Sequence, residues 1–193
     1  LGLRQSLGRF MRPMTLDLGI SAASFGFAIA LQNIVWGLSQ PFVGALADKH
    51  GPRPVLMGTA LLYALGLLLM VYSRGSVGLE VAGFLMGIGT AGTGFGVLIG
   101  VVTRATPLEK RSQTGGLVAA AGSLGTMALA PLGQAMIDGY GWQAALVAFA
   151  SIAASMMLLA LPIKGLASAL GAAQPSAAAV AAQQPLGEAL KDA

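Results

Sequence analysis

Residues Gly44–Leu56 read GALADKHGPRPVL, a charged interruption between two runs, Leu18–Ala47 and Pro54–Ser73, that contain no Asp, Glu, Lys or Arg. About 20 apolar residues in a helix cross the roughly 30 Å hydrocarbon layer of a bilayer, so each flanking run is long enough to span and the charged stretch is the turn between spans. Working outward, the same pattern recurs in Val81–Thr103, Ser112–Ile137 and Gly139–Ile163, each bounded by charge. Inside lipid only helices satisfy every backbone group without closing a barrel, and these runs lack the alternation of barrel strands. The expected fold class is therefore an all-α membrane protein, a transmembrane helix bundle over residues 1–164 with spans near 22–45, 54–72, 79–102, 114–136 and 142–162.

Composition leads to the same solvent. The chain is 55% hydrophobic and 9% charged, with a mean hydropathy of +0.76, whereas soluble domains carry about 25% charge. Low charge with high hydropathy is also the opposite of a disordered chain. With no cysteine, a disulfide framework and a thiolate metal site are both excluded. The net charge of +4 comes from basic residues scattered through short loops, not from a run, so the expected partner is the lipid bilayer and not nucleic acid.

Lys49, Arg53, Arg104, Lys110, Arg111 and Lys164 fall on one side of the implied topology, while the closed loop on the other side holds Arg74 against Glu80. By the positive-inside rule the first set is cytoplasmic. Arg4, Arg9 and Arg12 then lie at the outer face. That is consistent if Leu1–Phe10 is the outer end of a span whose beginning is absent; the stretch is too short, and too basic near its end, for a cleavable signal. From residue 165 to 193 the composition turns to Ala, Gln, Pro and Ser, which reads as a flexible cytoplasmic linker.

Gly44, Leu46, Asp48, Lys49, Gly51, Arg53 and Leu56 follow the spacing of the loop signature of the major facilitator superfamily, which this chain resembles, although Pro52 stands where a second basic residue is usual. Gly44 and Gly51 permit close approach and a tight turn, and Asp48 can pair with Lys49, Arg53 or a helix N-terminus. The resemblance implies a conformational gate at Gly44, Asp48, Lys49, Gly51 and Arg53. It extends through ALQNIVWGLSQPFVGALADKHGPRPVL, the TPLEKRS loop and GQAMIDGYGWQAAL, which look like the monocarboxylate and oxalate/formate branch. By that resemblance the fold is the N-terminal six-helix half of a major-facilitator transporter with its first helix truncated, and a partner is the missing C-terminal half of the same chain. Two departures bear on function. The usual arginine of the fourth helix falls at Gly83, and the antiporter signature of the fifth is only partly present around Gly125, Pro131 and Gly133; both count against a multidrug proton antiporter.

Polar side chains inside lipid are candidate site residues because they are costly there without a partner or a cavity. Gln32, Trp36 and Gln40 recur every four residues on one helical face, with Asn33 adjoining. The amides suit a carboxylate and the indole its apolar part; interhelical hydrogen bonding is the other reading. Arg4 is the candidate for bidentate recognition of a substrate anion, or an interfacial anchor. Gly92, Gly96 and Gly100 form a small-xxx-small stripe for helix packing. Gly87, Gly89 and Gly92 spell GxGxxG with Glu109 downstream, but the motif lies inside an apolar helix and not after a soluble strand, so no dinucleotide site is expected. His50, the one histidine, has no second ligand for a metal, and no Ser, His and acid constellation exists.

The expectation is thus a secondary active transporter with no cofactor, not an enzyme, in a bacterial inner (plasma) membrane. It works by alternating access on a small organic anion such as a monocarboxylate, by proton symport or anion exchange. The alternative is a stand-alone multi-span protein acting as a homodimeric half-transporter or a non-transporting assembly protein.

Overall fold

A computed structural model describes residues 6–161, the side chains of residues 95, 101 and 103–105 excepted. Among the described residues there are helices and no strands. A 3-10 turn at Leu7–Phe10 leads into α1 (Met11–Leu18). Then come α2 (Ala22–His50), α3 (Pro52–Tyr72), α4 (Ser76–Thr93) and α5 (Phe95–Ala105), a second 3-10 turn at Leu108–Lys110, and α6 (Arg111–Leu159). The end of the Leu1–Phe10 segment that precedes Ser6 and the proposed linker 165–193 lie outside the described residues.

Four stretches are long and apolar enough to cross a membrane, Ala22–His50, Pro52–Tyr72, Ser76–Gly100 and Leu108–Leu159. The last is two crossings. Its 49 helical residues are ~70 Å of helix, more than twice the ~30 Å hydrocarbon layer. Its backbone turns back at Gly141, where φ is 84° and ψ 164°. Phe149 lies against Gly133, so the arms on either side of Gly141 are antiparallel. The charge that ends the apolar run, Asp138, stays within the helix. The turn falls at Gly141 because only glycine readily takes that backbone conformation.

Glycine contacts also give the packing order. A Cβ at Gly83 would lie 2.5 Å from the Ala28 carbonyl oxygen, and one at Gly87 would lie 2.8 Å from that of Gln32, so α2 and α4 run parallel with backbones nearly touching. On the far side of α4, Gly89 meets Tyr63 and Gly92 meets Thr59, while Gly66 of α3 meets Met86, so α3 and α4 are antiparallel. Helix α4 is thus wedged between α2 and α3, and α3 packs in turn on α6. The main core, with Phe10, Met14, Phe25, Leu67, Met86, Leu146 and Phe149 all essentially inaccessible, lies where these helices converge with the N-terminal turn. Phe10 and Phe149 meet edge to face with centroids 5.8 Å apart. A smaller cluster of Val43, Val55 and Ala91, backed by Trp36 and Val97, fills the end nearer Gly51.

The GxGxxG glycines are therefore packing residues. Close approach is centred on Gly83, Gly87, Gly89 and Gly92; a Cβ at Gly96 or Gly100 would meet nothing within 4 Å. The small-residue stripe stops at Gly92 because the helix itself stops: Gly94 is extended, with φ −77° and ψ 175°, between α4 and α5. The single expected span 79–102 is accordingly two helices. Gly83 explains its own departure from the family pattern, since the Ala28 carbonyl occupies the space into which any side chain would grow.

Candidate functional site

The charged turn collapses to one residue. His50 ends α2, Pro52 begins α3, and Gly51 alone joins them with φ 86° and ψ 158°. That region is essentially restricted to glycine. Pro52, at the first helical position, has no N–H to leave unsatisfied and a φ already suited to a helix, so its departure from a basic residue stiffens the start of α3. Lys49 and His50 occupy the last turn of α2, where positive charge complements the helix dipole. Asp48, Lys49 and His50 are exposed, and Arg53 is half-buried. At Gly44 a Cβ would meet nothing within 4 Å, so its small size is not required by packing within this chain.

The four polar candidates of α2 do not form one surface. Gln32 is completely buried, and neither atom of its amide has a hydrogen-bond partner. Asn33 donates from Nδ2 to the Ile29 carbonyl at 2.7 Å, a bond within its own helix. Trp36 is half-buried, and Gln40 is exposed. At 3.6 residues per turn a four-residue spacing drifts about 40° per step, so Gln40 lies about 80° around the helix from Gln32. Gln32 therefore faces α4 while Gln40 turns out of the contact. Arg4 lies outside the described residues.

Trp36 has the most informative surroundings of the four. Its Nε1 lies 3.7 Å from the position of a Cβ on Gly94, the residue at which the apolar stretch Ser76–Gly100 loses its helical conformation. A helix break within a lipid-length segment leaves carbonyls of one half-helix and N–H groups of the next without their usual partners, and such backbone is tolerated at membrane depth only in protein or beside a water-filled cavity.

A third polar group lies at the end of the bundle away from Gly51. The buried Trp142 donates from Nε1 to Asp17 Oδ2 at 2.6 Å. Nearby, Arg9 donates from Nη1 to Gln134 Oε1 at 3.4 Å, and Gln134 donates from Nε2 to Asp138 Oδ1 at 2.9 Å. Sequence reasoning put Asp17 and Asp138 at this end but paired neither. The one available signal was the sequence GYGW, a glycine next to a tryptophan whose indole needs an acceptor once buried.

Among the described residues, no three His, Cys, Asp or Glu side chains form a group able to hold a metal ion. Buried amides, an indole at a broken helix and a charged one-residue corner are parts for binding and moving a polar solute; they assemble no nucleophile with a base.

The sequence matches the Major Facilitator Superfamily profile over residues 4–192. The chain belongs to the major facilitator superfamily. Among its relatives, monocarboxylate transporter 13 of Rattus norvegicus is 31% identical over 147 residues, which are 76% of this chain and 34% of that protein. Monocarboxylate transporter 11 of Mus musculus is 29% identical over 152 residues, 78% of this chain and 34% of the relative. The oxalate:formate antiporter of Oxalobacter formigenes is 31% identical over 132 residues, 68% of this chain and 31% of the relative. This major-facilitator chain thus spans about a third of the length of the curated relatives it matches. It is an integral, multi-pass, all-helical membrane protein of a transporter family, and its relatives lie in the monocarboxylate and oxalate/formate branch.

Proposed function

We propose that this chain supplies one six-helix half of a secondary transporter for small organic anions, working by alternating access as proton symport or anion exchange in a bacterial inner membrane. The observation that carries the reading is Trp36 beside the Gly94 break. Family transporters bind substrate near the midplane, and helices interrupted at that depth offer backbone groups to it. The Trp36 indole presents an N–H and an apolar face, which suit the two ends of a short carboxylate. Asn33 and Gln40 flank this position on the next turns, and Arg4 is the proposed ion-pair partner of the carboxylate on chemical grounds. The Gly51 corner, with Asp48, Lys49 and Arg53, is the proposed gate.

The second half of the transporter is proposed to belong to the same polypeptide. Phe27, Ile34, Leu38 and Phe42 make a highly exposed apolar stripe on α2, and Leu117, Leu124 and Met127 are similarly exposed on α6. A homodimer of half-transporters would use the same stripes. The test is counterflow in proteoliposomes made with the native gene product carrying this sequence. Labelled lactate, formate and oxalate are each offered against an internal carboxylate, with a sugar and an amine as controls. Saturable exchange of at least one carboxylate, weakened by Trp36→Ala, is expected; exchange of only the sugar or the amine refutes the substrate class.

A further inference from the structure

The amide of Gln32 is the most anomalous polar group in the described chain. It is completely buried, yet neither its Nε2 nor its Oε1 has a hydrogen-bond partner. Its position explains why no side chain answers it. Gln32 lies on the face of α2 that also carries Ala28 and Val35, and this face abuts Gly83 and Gly87 of α4. Glycines bring the two backbones together but contribute no side-chain donor or acceptor. The adjoining polar group on that line of α4 is Thr90, whose hydroxyl already donates to the Met86 carbonyl at 2.7 Å and keeps its lone pairs for accepting.

A buried amide left empty on both sides is strongly disfavoured, more so in a membrane protein where the surrounding medium is hydrocarbon. The missing ligand must both accept from Nε2 and donate to Oε1. It must also fit a contact so close that a single Cβ at Gly83 or Gly87 would lie within 3 Å of α2. A carboxylate accepts without donating and is too large. Water meets both conditions, and buried waters ordinarily make about three hydrogen bonds to polar groups otherwise unsatisfied.

We propose that the contact between α2 and α4 holds a sealed water molecule on the Gln32 amide. The water completes the hydrogen bonding of that amide and gives two glycine-faced helices an exchangeable polar link in place of a fixed one. Gln32 on this account binds water and not the transported solute.

Solid-state NMR on the full chain in lipid bilayers tests this. The Gln32 side-chain amide is identified as the signal pair that vanishes in Gln32→Met, an unbranched replacement without hydrogen-bonding capacity. Magnetisation transfer from water to that pair is expected. Contacts of the pair to protein protons alone overturn the proposal. A thermal scan of the same variant gives a second reading that needs no assignment. With water on the amide, Gln32→Met leaves the melting temperature level or lower, whereas a clear rise means that the methionine relieved a dry, unsatisfied amide and the proposal fails. If the variant does not fold, selective labelling of glutamine in the unsubstituted protein still reports whether a fully buried side-chain amide exchanges magnetisation with water.

Discussion

Two corners of this chain are built on the same backbone and differ in everything around it. Gly51 has φ 86° and ψ 158°, Gly141 φ 84° and ψ 164°, and each is the single residue between two helices. At Gly141 the next residue is Trp142, 4% exposed and bonded to Asp17 across the fold. At Gly51 the next residue is Pro52, half-buried, and the flanking Asp48, Lys49 and His50 are exposed. The same turn is pinned into the core at one end of the molecule and left at the surface, ringed by charge, at the other. A pinned corner resists motion, and a charged surface corner is free to trade partners; on our reading the Gly141 end is structural and the Gly51 end is the gate.

The largest expected effect lies at the pinned corner. Trp142→Ala removes a buried aromatic and should destabilise by about 3–5 kcal/mol, measured as a loss of melting temperature in detergent. Pro52→Ala, the matched change at the other corner, should cost less than about 1 kcal/mol through the unfolded chain. Equal losses would erase the distinction. Next, Gly51→Ala and Gly141→Ala should each cost about 1–3 kcal/mol, because both force a Cβ into glycine-only backbone space. Similar values sharpen the claim of a shared turn, and a neutral Gly51→Ala breaks it. Smaller still, Trp142→Phe keeps most of the ring packing but loses the donor to a carboxylate, a loss of about 2 kcal/mol. A double-mutant cycle of Trp142→Phe with Asp17→Asn should return most of that as coupling, and independent effects would show that the hydrogen bond contributes little.

Much of the fold was legible because lipid leaves few options. Runs without charge and about 20 residues long are helices in a bilayer, and the spacing of Gly44, Asp48, Gly51 and Arg53 identified the family loop. Less of the site was legible. The polar line Gln32, Trp36, Gln40 shares a face only approximately, and the drift of a four-residue period was enough to seal the first amide and expose the last. The break at Gly94 carries no local marker, since glycines lie throughout Gly83–Gly100 and only the positions of α2 and α3 decide which are packed. Asp17 and Trp142 meet across 125 residues of sequence, a pairing that depends on the fold of α6 about Gly141 and not on any local pattern.

The central claim is that the two corners divide gating from structure, and one paired measurement tests it directly. Carboxylate uptake per molecule in the membrane, together with melting temperature, would be recorded for Asp48→Asn and Asp17→Asn in the native gene product. The account predicts that Asp48→Asn loses most transport at unchanged melting temperature, while Asp17→Asn lowers the melting temperature and leaves uptake per folded molecule near that of the unsubstituted protein. Full uptake by Asp48→Asn, or loss of uptake confined to Asp17→Asn, would contradict it.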